Sequence, residues 1–363
     1  MDKIEEVKFH PLVQRQEDPN WTFAGAHYPT IDGYIVTVRT SSGVTGHGYA
    51  ENATHMGYSN AGIEAALNIL HPLVAGRNVF DIEPIMLDVE ASLVGNSSAK
   101  AGIDCALHDA VGKLRNAPLH QLFGGRVREK IVQTRILPIK PTAEMAAMAQ
   151  GLVEKGYRNL KIKMIGDAVL DTERVSAIRS AVGPDIRLTL DANQSYSPKA
   201  AISVLYRMAK CDISVVEQPV HARNLKGLAL VTRSVPMLVE ADEAAVSVHD
   251  ILHLVAEQIV DVVSLKIGKL GGLRNTMLAA RICERGGIAC RMGATFGPQL
   301  YVAQGLHVAA ALAHLDLPCE LAEFDHIFDD PYEGLSIFGG MIAVPEGAGS
   351  GVTLRSESKI AAA

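Results

Sequence analysis

From residue 130 onward, short apolar runs alternate with longer segments in which apolar residues recur every three or four positions. The runs lie at 131–137, 158–164, 186–191, 212–217, 237–241, 261–266, 287–291 and 318–322. The longer segments lie near 142–155, 169–182, 197–209, 223–232, 247–256, 272–286 and 298–315. Short continuous apolar runs predict strands buried on both faces, and the longer period predicts helices. Their alternation predicts parallel strands. Eight strands with seven helices between them make a (β/α)7β barrel over 126–324, with the last helix replaced or displaced.

The first 125 residues read differently. Residues 4–12, 31–40 and 44–51 are strand-like, and the last two flank the turn Ser41–Ser42–Gly43, which predicts an antiparallel meander. Helices follow at 61–75, 82–93 and 98–114; the third puts Ala99, Ile103, Ala106, Ala110 and Leu114 on one side. Pro118 and the turn at 122–125 close this region as an α+β capping domain, 1–125. Residues 325–363, rich in Asp, Gly and Pro, are expected to return and pack on it.

Composition narrows the function. The chain has 363 residues, 48% apolar and 20% charged, with net charge −6 and no basic tract, which gives no support to nucleic-acid binding. The most apolar-looking run, Tyr301–Leu315, carries Gln304, His307 and His314 and is too short and polar to span a bilayer. No apolar secretion segment follows Met1–Lys3, and five scattered cysteines suit a reducing compartment, so the expectation is cytoplasmic.

Charge placement supplies the candidate chemistry. Asp191, Glu217, Asp242 and Lys266 follow Lys163 at intervals of 28, 26, 25 and 24 residues. A strand, a helix and two short loops fill about 25 residues, so these side chains fall at one place in successive units and converge on the barrel mouth. Three carboxylates at adjacent strand ends repel one another unless a cation neutralises them. An all-oxygen set without His fits Mg²⁺, with Mn²⁺ as the alternative, and disfavours Zn²⁺. Lys161 and Lys163 share one side of their strand. Lys163 and Lys266, four strands apart in an eight-strand ring, face each other across the mouth. A substrate carboxylate held on the cation can accept the charge left by its departing α-proton, as an ene-diolate, while a lysine takes the proton. Neighbouring cations are expected to lower that lysine's pKa. Lys161 is expected to stand beside the substrate carboxylate. Asn193 and Glu243 are candidates to orient ligands or a lysine, and Lys269 is expected to be structural or at the rim.

These motifs resemble the muconate-lactonising branch of the enolase superfamily. They are KIK at 161–163, DAN at 191–193, EQP at 217–219, ADE at 241–243 and LKIGKLGG at 265–272. Residues 101–125 and 332–351 extend the resemblance over nearly the whole chain. It implies a capping domain on a (β/α)7β barrel, with Asp191, Glu217 and Asp242 holding Mg²⁺ and Lys163 and Lys266 as acid/base groups. The mandelate-racemase branch would place a His on strand seven, where residues 288–293 have none.

Substrate choice is expected to depend on two polar loops of the first domain, 16–30 and 51–58, with Trp21, Phe23, Tyr28 and Met56 as lid candidates or interdomain packing. The opposite wall is expected from 293–297, including Thr295 and Phe296, and from 319–323. In amino-acid and dipeptide epimerases of the branch, an Asp-x-Asp pattern after strand eight holds the substrate ammonium. Here Glu320 and Glu323 are spaced three apart instead of two. The expected activity is racemisation or epimerisation of an amino-acid-like carboxylate by two lysines, in a homo-oligomer acting on a small molecule. A muconate-type cycloisomerase, an acid dehydratase and a non-catalytic, metal-stabilised barrel are the alternatives.

Overall fold

The computed structural model describes residues 2–23, 26–294 and 296–356. Its first unit is a three-stranded antiparallel sheet, Ile4–Arg15, Thr30–Thr40 and Thr45–Glu51, with Thr30–Thr40 in the middle. Pairing continues as far as Arg15 opposite Thr30, so the first strand runs past residue 12. Helices Asn60–Val74, Ile82–Ser92 and Ser97–Leu114 cover one face.

The Ser97–Leu114 helix is buried all round, not along one stripe: Lys100, Asp104, His108 and Asp109 are sealed together with its apolar residues. It lies between the sheet and the barrel. On the sheet side, a Cβ at Gly46 or Gly48 would collide with the backbone oxygen of Ala106 or Gly102, so only glycine permits this approach. On the barrel side, Asp104 accepts from the backbone N–H of Leu273 at 2.6 Å, capping the Leu273–Gly286 helix from another element.

The second unit is a curled parallel sheet of seven strands. In ring order they are Arg135–Leu137, Asn159–Lys163, Arg187–Asp191, Ile213–Glu217, Leu238–Ala241, Val262–Leu265 and Ala289–Met292. Several of the outer helices begin at side-chain caps, among them Asp167, Ser197, Asn224 and Ser247.

Two expected strands differ. The 131–137 run divides: Lys130–Val132 pairs antiparallel with Met341–Ala343, while Arg135–Leu137 joins the ring. The 318–322 run forms no full strand, since Pro318 opens it and a 3₁₀ turn at Glu323–His326 follows. Its backbone still bridges the ring. Thr134 N–H donates to Cys319 O at 2.7 Å, and Glu320 N–H donates to Met292 O at 2.9 Å.

The tail touches both units, through Met341–Ala343 and through Ser350 N–H, which donates to Asp109 Oδ1 at 2.7 Å. The five cysteines are buried and free. Among the described residues no helix is long and apolar enough to cross a membrane.

Candidate active site

The strand ends bring most of the predicted residues to one mouth. Lys161 and Lys163 point inward together and line one cavity, and Ile162 between them is buried in the hydrophobic core. Lys163 Nζ lies 2.5 Å from Asp191 Oδ2 and donates to Asn193 Oδ1 at 3.1 Å. Lys161 Nζ meets Asp191 at 3.1 Å, Glu217 Oε2 at 2.5 Å and Glu320 Oε2 at 2.8 Å. On the far side, Lys266 Nζ lies 2.6 Å from Asp242 Oδ2, and Lys269 Nζ lies 2.7 Å from Asp242 Oδ1.

A cavity of about 20 Å³ is lined by Lys161, Lys163, Asp191, Asn193, Asp242, Lys266 and Lys269 from the barrel, with Ala294 and Phe296. Glu51, Ala53, His55, Met56 and Tyr58 line it from the first unit. That volume holds about one water molecule, so the 51–58 loop is shut down on the mouth.

Each aspartate answers two ammonium groups, and this sets the protonation equilibria. Burial pushes the Asp191 carboxyl up, but Lys161 and Lys163 outweigh it and hold the group well below its ordinary range. At Asp242, Lys266 and Lys269 outweigh burial in the same way. Glu217 is pushed well up, first by burial and then by Asp191. Burial lowers Lys161 and Lys266, yet the facing carboxylates prevail and both are raised. Neighbouring cations do lower both groups, Arg291 at Lys161 and Lys161 at Lys266, but the facing carboxylates outweigh them. Burial also raises Glu51 and Glu243 to about 7 and lowers His55 to about 4. Among the described residues no three His, Cys, Asp or Glu side chains are grouped to hold a metal ion.

The other candidates divide. Asn193 bridges the two sides, accepting from Lys163 and donating to Glu243 Oε1 at 3.2 Å. Its φ of 38° needs the left-handed region that Asn tolerates. Met56 and Phe296 line the cavity. Tyr28 stands behind His55, ring edge to ring face at 6.3 Å. Trp21 is core, stacked on His326 at 4.3 Å. Thr295 and the Phe23 side chain lie outside the described residues. Glu320 and Glu323 do not line the cavity. Glu320 is fully buried against Lys161 and Arg291, and Glu323 against Arg135 at 3.3 Å and His326 at 2.8 Å.

Lys269, expected to be structural or at the rim, is 2% exposed and so not at the rim. The short Ile267–Leu270 helix carries it back under Asp242. Sequence reading also passed over Arg291, Glu240 and Glu51. Arg291 and Glu240 each interrupt an apolar strand, and strand period puts Glu240 on the same side as Asp242. That pattern was a usable signal.

Comparison with known proteins matches this geometry to a family. The model of the mandelate racemase/muconate lactonizing enzyme N-terminal domain matches residues 20–124, and that of the enolase C-terminal domain-like family matches residues 144–359. The L-Ala-D/L-Glu epimerase of Clostridium acetobutylicum is 34% identical over 286 residues, 78% of this chain and 80% of that protein. The crystal structure of dipeptide epimerase from Enterococcus faecalis V583 with Mg and the dipeptide L-Leu-L-Tyr superposes with a TM-score of 0.93 at 32% identity, covering 97% of this chain and 99% of that one. Muconate lactonizing enzyme from Pseudomonas fluorescens with muconolactone gives a TM-score of 0.95 at 27% identity, covering 98% of each chain. The matched relatives are isomerases, and the chain thus belongs to the mandelate racemase/muconate lactonizing enzyme family of the enolase superfamily, within its muconate-lactonizing subgroup.

Proposed function

We propose that this protein is a Mg²⁺-dependent racemase or epimerase that moves the proton α to the carboxylate of a dipeptide or other amino-acid derivative. The observation that carries the reading is that Lys163 and Lys266 reach one cavity from the second and sixth strands of the ring, with a row of carboxylates between them. Two amines on opposite faces let one remove the α-proton and the other return it, which inverts the centre. Asp191, Glu217 and Asp242 are the candidate Mg²⁺ ligands. Their fit rests on an all-oxygen donor set and on Glu217 Oε1, a buried carboxylate oxygen without a hydrogen-bond partner. Bound there, the cation supplies positive charge against the substrate carboxylate as its α-proton leaves. Lys161 stands where it can pair with that carboxylate, and Asn193 steadies Lys163. The 51–58 loop excludes water, which strengthens each of these interactions. For substrate to enter, this loop must open.

A muconate-type cycloisomerase is the second reading. It is favoured by the loss of Glu320 and Glu323 to buried ion pairs, which leaves no acid from 319–323 at the cavity for a substrate ammonium. The test is α-proton exchange in D₂O with Mg²⁺, over L,L- and L,D-dipeptides, N-acylated amino acids and muconates. Exchange with stereochemical inversion supports the epimerase. Lactone formation from a muconate without exchange of amino-acid derivatives supports the second reading. No exchange and no lactone over the whole panel would sink the two-base assignment.

A further inference from the structure

Beneath the carboxylate row lies Arg291, from the Ala289–Met292 strand, with a relative exposure of 1%. A guanidinium at that depth is costly unless carboxylates answer it. Its Nε donates to Glu240 Oε1 at 2.8 Å and its Nη2 to Glu240 Oε2 at 2.5 Å, a two-pronged grip that only Arg makes. Nη2 also donates to Glu217 Oε2 at 3.2 Å. It lies 2.7 Å from Glu320 Oε1, an ion pair too bent to count as a hydrogen bond. The other oxygen of Glu320 holds Lys161, whose ammonium is 2.5 Å from the same Glu217 Oε2.

Two cations from different strands thus converge on one oxygen of Glu217. The terminal torsion of a glutamate is soft and roughly two-fold, so an untethered side chain presents either oxygen with little preference. With Oε2 anchored twice, the oxygen left without a partner is Oε1, and it is buried. Glu240 plays the opposite part. Both its oxygens are spent on Arg291, so it anchors the guanidinium and offers nothing to the mouth.

We infer that Arg291 is a positioning residue for the cation site: clamped by Glu240 and Glu320, it holds Glu217 with Oε1 available as a donor, and through Glu320 it sets the height of Lys161. The inference rests on the proposed role of Asp191, Glu217 and Asp242 as Mg²⁺ ligands. A lysine at position 291 keeps the charge but cannot grip Glu240 with two prongs while reaching Glu217 and Glu320. Partners that orient metal ligands from behind typically change metal affinity about 10- to 100-fold when lost.

The experiment is Mg²⁺ titration by isothermal calorimetry on the full-length protein, beside metal-free melting curves, for wild type, Arg291→Lys and Glu240→Gln. The expected result is a Kd at least about 10-fold weaker in Arg291→Lys and a smaller rise in Glu240→Gln. Glu240→Gln keeps Arg291 and is the readout that remains if Arg291→Lys misfolds. A merely structural brace would lower the metal-free Tm and leave Kd unmoved, and an unchanged Kd in the folded variants overturns the inference. If wild type itself binds no Mg²⁺, the ligand assignment falls first and takes the inference with it.

Discussion

The two ends of the carboxylate row reach the same arrangement by different local structures. Asp191 is gripped by Lys161 and Lys163, two residues apart on one adjacent strand. Asp242 is gripped by Lys266, at a strand end, and by Lys269, one turn of a short helix later. The first end is built within the barrel, where strand period fixes both lysines and Asn193 ties Lys163 to Glu243. The second end leans on the capping unit. Glu51 closes the Thr45–Glu51 strand and lines the cavity; its Oε2 accepts from Tyr301, whose hydroxyl accepts in turn from Gly268 N–H, two residues past Lys266. The hydrogen-bonded contact of the cap with this end therefore runs through Glu51 and Tyr301, while His55 and Met56 line the cavity that Lys163 shares.

The largest expected effect comes from removing each proposed base. Lys163→Ala and Lys266→Ala should each reduce inversion by about 10³-fold or more with the fold retained, each abolishing exchange from a different stereoisomer. Rates for the two isomers measured separately in D₂O check this, and full activity in either variant would break the equivalence of the two ends.

Next comes the second cation on each acid. Lys269→Met leaves Asp242 with a single partner in a sealed site. Breaking a buried pair costs roughly 3–5 kcal/mol, and activity should fall with it. Denaturant melts check this, and a loss below about 1 kcal/mol would show that Lys269 is dispensable.

A pH dependence should separate the ends. The folded Glu51 carboxyl titrates near 7, raised from 4.5 first by burial. A raised folded pKa means that stability is full below the unfolded value and declines as pH rises from about 4.5 through 7. Glu51→Gln should remove the Glu51 share of that decline, worth roughly 1–3 kcal/mol at pH 8, leave the Glu243 share in place, and leave stability at pH 4 little changed. Tm measured across pH 4 to 8 decides, and parallel curves for variant and wild type would sink it.

The smallest effect belongs to Asn193→Ala. It should slow the Lys163 face by about 10-fold and spare the Lys266 face, since one hydrogen bond to a charged group is worth roughly 1.5–3 kcal/mol at most. Equal slowing of both faces would mean that Asn193 acts through the cation site instead.

Legibility followed the range of the interactions involved. The parallel strands, their order and the outer helices were readable because apolar period reports which face of each element is buried. The meeting of Lys163, Asp191, Asp242 and Lys266 at one cavity was readable because equal spacing in a barrel becomes proximity, while Glu217 is buried and does not line that cavity. Glu320 and Glu323 were legible as acids near the mouth but not as spent ones. Their partners Lys161, Arg291, Arg135 and His326 mostly come from other strands, and no local pattern records such a pairing. Of the two places expected for Lys269, structural or rim, only the structure could choose, since the short helix that ends at Gly271 with φ of 83° brings it to Asp242.

By itself, then, the order of residues determined the architecture and the shared cavity of Lys163, Asp191, Asp242 and Lys266, which follow from periodicity and spacing along one chain, and its motifs pointed to the family. Tertiary structure alone decided which acids are spent in buried ion pairs, where Lys269 lies and how far the cap is shut. A buried charge is governed by the partners that surround it in space, and those partners come from segments tens to hundreds of residues away.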